Sequence, residues 1–246
     1  MDLPLYHAMT AAEFSFARKL PRHIAWMACH FSAYSTNLSN LPTEIPPGSM
    51  IIINDKMPPS GHDKFAIAEQ LNRLADQYRV SSFLFDFERK ETEETAEMIY
   101  YLTSSVNSPV VVTEVYAHAS KGPVLISMPP PHISLKKQIA NIQNRELWLE
   151  LAMETEIAII DSNGCHFQPY GGEVFPAMEF TDSTLHTKYR LQICNNHANY
   201  LLKREIAEVA DIMKEAKSLG VTTFVGLYQQ FGMNFSEHTA YEITDG

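Results

Sequence analysis

Residues 65–88 read FAIAEQLNRLADQYRVSSFLFDFE, and the two halves of that stretch follow different periods. In the first half Ile67, Leu71, Leu74 and Tyr78 recur every three or four residues, which gathers them on one face of a helix over Phe65–Arg79. Asp63 stands just ahead, where a carboxylate can accept from first-turn amides as an N-cap. In the second half Ser81–Glu88 is a short, aromatic-rich run that predicts a strand covered on both faces. A helix running directly into such a strand is the repeating unit of a parallel α/β fold. Working outward, Met50–Asn54 (MIIIN) predicts the strand before the helix, left through Asp55 to Gly61, and Glu91–Ser104 the helix after Ser81–Glu88. The acidic first turn of that second helix suits the positive end of a helix dipole.

The same grammar recurs along the chain. His23–Phe31 reads as the first strand, Pro109–Tyr116 and Pro123–Met128 as the fourth and fifth, and Glu146–Leu151 as the sixth. Glu205–Leu219 is helical through Ile206, Val209, Met213 and Ala216; Gly220 follows as its C-cap, and Val221–Tyr228 is the closing strand. The departures from regularity are equally informative. Ser32–Ser49 shows no helical stripe, and the link between the fourth and fifth strands is too short for an ordinary crossover helix. Ile157–Ile160 turning at Ser162-Asn163-Gly164 into His166–Tyr170 predicts a hairpin, and Tyr189–Cys194 turning at Asn195-Asn196 into Tyr200–Lys203 predicts another. Gly171–Ser183 between them reads as a loop with exposed Phe175 and Phe180. The fold class expected is α/β: an irregular or incomplete (β/α)8 TIM-like barrel over residues 1–246 as one domain, with β-hairpins inserted at about 157–203. A doubly wound open sheet is the competing architecture, and the chain lacks the glycine-rich phosphate turn that would favour it.

The bulk composition narrows the function. The 246 residues suit one barrel, and 45% hydrophobic with 20% charged residues is the balance of a globular domain. A net charge of −10, with no basic stripe, opposes binding to nucleic acid or an anionic membrane surface. No apolar run approaches the roughly 20 residues that span a bilayer. Met1–Lys19 lacks the pattern of a secretory leader, and Cys29, Cys165 and Cys194 form no framework of pairs. A cytoplasmic location is therefore expected.

In parallel α/β folds the C-terminal ends of the strands face the ligand. Reading those ends brings together His30, Asp55, Asp86, Glu88, Glu114, Tyr116, Glu150, Tyr228 and Gln229. Asp86 and Glu88 are two residues apart, so alternation puts both on one side of their strand. Close carboxylates cannot all ionise freely, and one with a raised pKa can serve as a general acid. That is the requirement for glycosidic bond cleavage: a proton donor and a group that stabilises positive charge. Trp26, Tyr116, Trp148 and Tyr228 would offer ring faces to a sugar. Against this, Arg89 and Lys90 could clamp the same acids into plain ion pairs. A metal held by His30, Asp55, Asp86 and Glu114 is the competing enzyme idea. The chain has no His-x-His, His-Glu-x-x-His or Cys-x-x-Cys spacing, so neither metal nor cofactor is expected. Pro129-Pro130-Pro131 reads as a rigid loop that, with Met128 and His132, could rim a pocket.

Phe83-Leu84-Phe85-Asp86-Phe87-Glu88 resembles the end of the Asp-x-x-Asp-x-Asp-x-Glu strand motif of the family-18 chitinase-type glycosidases, which are barrels. The resemblance implies Glu88 as proton donor and Asp86 as the residue that orients a substrate acetamido group. Ser81 and Leu84 stand at the two earlier acidic positions of the pattern. Two functions follow. One is a glycosidase-like hydrolase with Glu88 and Asp86 catalytic, and with Asp55, Glu114, Tyr116, His30, Tyr228 and Gln229 around the substrate. The other is a non-catalytic TIM-like barrel that binds a small ligand or a protein through the same cup. The expected partner is a small molecule, a carbohydrate under the first reading.

Overall fold

The computed structural model of the chain describes residues 3–16, 21–31, 36–37, 45–55, 63–87, 92–142, 144–153, 155–170, 178–194 and 196–231. In chain order the elements are β1 (Leu5–Met9), α1 (Ala11–Phe16), β2 (Ile24–Phe31), β3 (Thr36–Asn37), β4 (Met50–Asp55), α2 (Lys64–Tyr78), β5 (Ser82–Phe87) and α3 (Glu93–Ser105). Next come β6 (Val110–Thr113), a 3-10 turn (Glu114–Ala119), β7 (Val124–Ile126), α4 (Leu135–Ile139) and β8 (Leu147–Leu151). The antiparallel strands β9 (Thr155–Asp161), β10 (Gly164–Pro169), β11 (Met178–Asp182), β12 (Thr187–Ile193) and β13 (Ala198–Lys203) follow, then α5 (Ile206–Ser218), β14 (Val221–Leu227) and α6 (Tyr228–Phe231). Packing divides the chain into two compact units: Met1–Ser127 with Ile142–Glu150 and Gly220–Gly246, and Met128–Asn141 with Leu151–Leu219.

The first unit is a closed barrel. Among the described residues, eight strands run parallel in the order β1-β14-β8-β7-β6-β5-β4-β2, and β1 pairs with both β14 and β2 to complete the ring. This closure excludes the open doubly wound sheet. The sequence reading had no strand at Leu5–Met9, the element that closes the barrel; its LYHAM run is only five residues long. Alternation along each strand sorts side chains into two layers. Tyr6, Ala8, Ala25, Met50, Ile52, Leu84, Val111, Leu125, Trp148 and Val225 fill the lumen. Phe83, Phe85 and Phe87 of β5 face outward, where Ile67, Leu71 and Leu74 of α2 and Met98, Ile99 and Leu102 of α3 cover them. Each such fully buried side chain contributes about 2 kcal/mol relative to exposure.

The expected helices form where their caps permit. Asp63 Oδ1 accepts from the Phe65 and Ala66 amides at 2.9 and 3.2 Å, and Thr92 and Thr95 form a reciprocal capping box ahead of α3. Gly220 adopts φ +91 after α5, a left-handed conformation that glycine takes without strain. Three boundaries differ from expectation. The fourth expected strand stops at Thr113, and Glu114, Val115 and Tyr116 belong to the 3-10 turn, which makes the short crossover to β7. The expected last strand stops at Leu227, so Tyr228 and Gln229 lie in α6. Of the expected loop Gly171–Ser183, Met178–Asp182 is a strand, and residues 171–177 lie outside the described residues.

The second unit contains both expected hairpins, joined through a β9–β13 pairing into one five-stranded antiparallel sheet of order β10-β9-β13-β12-β11. The proline loop after β7 is fastened to this unit from inside. Arg204, with 1% exposure, donates to the carbonyls of Pro129, Ile133 (3.2 Å) and Leu185 (2.9 Å), and the Thr187 hydroxyl donates to the Pro131 carbonyl at 2.7 Å. His132 lies 2.6 Å from Glu156 and stacks on Phe167 at 3.7 Å, so it serves as an anchor of that loop. No described helix is long and apolar enough to cross a membrane.

Candidate active site

The lumen-facing rows of the barrel end at the C-terminal mouth, and β5 carries the most telling one. Ser82, Leu84 and Asp86 share a face; Leu84 is 2% exposed within the apolar lumen, and Asp86, one step nearer the mouth, is half-buried. Asp86 thus stands over an apolar floor at the end of the barrel's fourth strand. The β4–β5 register places Asn54 opposite Asp86 and Asp55 opposite Phe87. On the main chain the β4 partner of Asp86 is therefore Asn54, whose side chain lies outside the described residues. The side chain of Asp55, like those of His30, Tyr228 and Gln229, lies outside the described residues, as does Glu88 entirely. The main chain of His30 pairs with Asn37 of β3, beyond a register shift that follows Met27 in β2. The metal grouping of His30, Asp55, Asp86 and Glu114 therefore includes two side chains outside that description.

Two other expected residues are placed fully. Glu114 is half-buried at the first position of the 3-10 turn, directly after the mouth end of β6. Tyr116 does not reach the mouth. It is fully buried in the layer outside the barrel wall, edge-on to Phe87 with ring centroids 5.9 Å apart, so neither face is open to a ligand. The chain leaves β6 at Thr113 and turns, which carries Tyr116 over the outside of β5. Trp26 is likewise buried in that outer layer, against Phe14 at 4.9 Å. Trp148 does face the lumen, but its ring is stacked on Tyr6 at 6.0 Å and its Nε1 donates to Glu146 just before β8. These three rings are structural.

Two further residues end lumen rows: Glu150, read from the sequence as a strand end without a role at the site, and Thr113, which the sequence reading did not single out. Glu150 lies two residues beyond the lumen-facing Trp148 in β8 and is exposed, so its row also ends in a carboxylate. The alternation in Leu147-Trp148-Leu149-Glu150-Leu151 carried that signal. Thr113, two residues beyond the lumen-facing Val111, ends the β6 row, and its hydroxyl donates to the Phe87 carbonyl at 3.2 Å. Asp86, Thr113 and Glu150 thus end three rows of the lumen, a polar rim above an apolar plug.

No family model and no curated protein matches the chain. Solved structures do. A closed eight-stranded α/β barrel with an antiparallel insertion before its last strand is the class of fold. More narrowly, it is the fold of the glycoside hydrolase family 18 proteins. An N-acetylglucosaminidase of that family from Paenibacillus barengoltzii superposes with a TM-score of 0.63 at 8% identity, over 99% of each chain. The class V chitinase from Nicotiana tobaccum gives 0.61 at 10% identity, over 100% of this chain and 99% of that one. A GH18 chitinase mutant from Cycas revoluta, solved with (GlcNAc)4, gives 0.57 at 12% identity over 98% of each. At such identities the likeness is one of fold.

Proposed function

We propose that the chain is a glycosidase-like hydrolase that works at the C-terminal mouth of its barrel, with Glu88 as proton donor and Asp86 as the carboxylate beside it. The observation that carries this reading is the position of Asp86, half-buried at the end of a lumen-facing row on the fourth strand of a family-18-type barrel. Glu88 follows two residues on in the sequence, at the place where the resembled motif has its proton donor. A glycosidic oxygen entering this mouth would take the Glu88 proton as the bond to the sugar breaks. Asp86 would hold the acetamido group, or the positive charge that develops on the ring. Glu114 and Glu150 add negative potential at the rim, which favours a neutral or cationic sugar over an anionic one. The ligand proposed is a carbohydrate, in keeping with the (GlcNAc)4 found in the Cycas revoluta protein.

The test is hydrolysis of a panel of chromogenic glycosides, N-acetylglucosamine oligomers included, by the wild type and Asp86→Asn. Turnover by the wild type and a kcat loss of about 10²-fold or more in the variant are expected. Wild-type inactivity across the panel, or equal rates, would overturn the proposal.

One observation favours a second reading, a barrel that binds a sugar without cleaving it. Leu84 occupies the lumen where the resembled motif has an acid, and Ser81, at the other lost acidic position, is tied through its hydroxyl to Tyr6 at 3.1 Å. Under that reading the wild type is inactive on every glycoside, yet oligosaccharides raise its melting temperature.

A further inference from the structure

Strands β11 and β12 of the second unit alternate, as Met178-Glu179-Phe180-Thr181 and Tyr189-Arg190-Leu191-Gln192-Ile193, which is the pattern of a sheet with one covered face. The pairing register shows what shares that face. Phe167, Ala158, Tyr200, Leu191 and Met178 form one row across all five strands, and Cys165, Ile160, Ala198 and Ile193 form the next. Neither row holds a charged side chain. The opposite face carries His166, Gln168, Asn199, Gln192 and Arg190. Yet the apolar face is open: Ile193 is 75% and Met178 68% exposed, and Phe180, Phe167 and Ile160 are 47%, 45% and 43% exposed.

The face closes at one end, where Leu202 is buried and Glu156 holds His132 at 2.6 Å. Beyond that end the five exposed side chains offer on the order of 500 Å² of apolar surface, counting about 200 Å² for each at full exposure. A standard contact buries about 800 Å² per partner, of which roughly 65% is apolar in homodimers. The face thus supplies the apolar core of one such contact. Its rings are set for packing between side chains. Phe180 lies parallel to Tyr189 at 4.9 Å, and Phe167 lies on His132 at 3.7 Å, so each exposed phenyl has one face already taken within the chain.

We propose that this face is an interface between two copies of the chain, packed sheet against sheet about a two-fold axis. A face of one charge sign repels its own copy, whereas these two uncharged rows are complementary to themselves. A two-fold contact brings the same rows together from both sides, and side chains of facing sheets interdigitate across about 10 Å. The proposal is independent of the hydrolase reading.

The experiment is sedimentation equilibrium of the full chain at about 1–100 µM, the weak end of what a contact of this size gives. Wild type, Ile193→Lys and Thr181→Lys are compared, with melting curves for all three. Thr181 is exposed on the opposite face, and both variants change the net charge of −10 by the same amount, so bulk repulsion shifts alike and only the face differs. A wild-type dimer is expected, with a dissociation constant raised about 100-fold or more in Ile193→Lys and within about threefold in Thr181→Lys. Should Ile193→Lys melt early, Met178→Lys takes its place. A wild type still monomeric at about 100 µM, or Ile193→Lys dimers as tight as those of Thr181→Lys, overturns the proposal. A monomeric wild type that binds phosphatidylcholine vesicles or N-acetylglucosamine oligomers, and loses that binding in Ile193→Lys, gives the face to lipid or sugar and overturns it as well.

Discussion

Leu84 and Asp86 are one step apart on the same row of β5, and their difference shows how a lumen becomes a site. Leu84 is enclosed by apolar side chains from the other barrel strands, whereas Asp86 reaches a level where water can share its charge. Truncation of Leu84 to Ala should cost about 2–5 kcal/mol, read as a lower urea midpoint, because the packed lumen has little room to collapse. Leu84→Asp, which restores the acid of the resembled motif, should destabilise the barrel at least as much at neutral pH, since it would set a carboxylate among the apolar side chains described in that layer. At this scale the sequence was legible wherever alternation ran unbroken: Asp86 falls on the lumen row as its spacing from Leu84 requires. It misled at Tyr116, because a strand that stops at Thr113 no longer alternates. The valine run up to Val112 offers nothing to mark that end.

Elements were legible where a period was long enough to see. The helices α2, α3 and α5 declare themselves over three or more turns and by their caps. The strand β1 and the strand β11 do not. Each is five residues long, and the burial pattern of β11 shows no covered face to mark it. The second unit rests on a residue that no periodicity could have singled out. Arg204 donates to three carbonyls from two loops with one buried guanidinium, so Arg204→Ala takes that donor from Pro129 and Ile133 and leaves Leu185 with the Thr187 hydroxyl at 3.0 Å. A loss of about 3 kcal/mol or more is expected in chemical unfolding, and Arg204→Lys should recover little of it, since an ammonium lacks the planar fork. A full recovery by lysine would contradict this account of the loop. In the barrel, a methyl group at Gly226 would meet the Phe231 ring at 2.6 Å, so Gly226→Ala should displace α6 and lower the melting temperature measurably.

At the scale of the whole molecule the barrel closes through β1, and the charge state of that strand contributes to stability. The His7 imidazole on β1 is pushed down from 6.5 to about 4, chiefly by burial and secondarily by the nearby His23. A histidine whose folded pKa is depressed is neutral in the native state while its unfolded form takes up a proton first. Its contribution is therefore present above pH 6.5 and is lost as pH falls from 6.5 towards 4. The urea midpoint of the wild type should fall through that window more steeply than that of His7→Gln; parallel curves would refute the assignment. The barrel as a whole follows from sequence because parallel strands covered on both faces leave few alternatives, while its closure depends on a strand too short to announce itself.

The proposed hydrolase requires that Glu88 transfer a proton to a glycosidic oxygen, with Asp86 beside it. The most direct measurement is kcat/KM for the wild type and Glu88→Gln on one N-acetylglucosamine oligomer glycoside, at matched melting temperature. A fall of about 10²-fold or more in the glutamine variant is the result expected of a lost general acid. Undiminished cleavage by Glu88→Gln would contradict it.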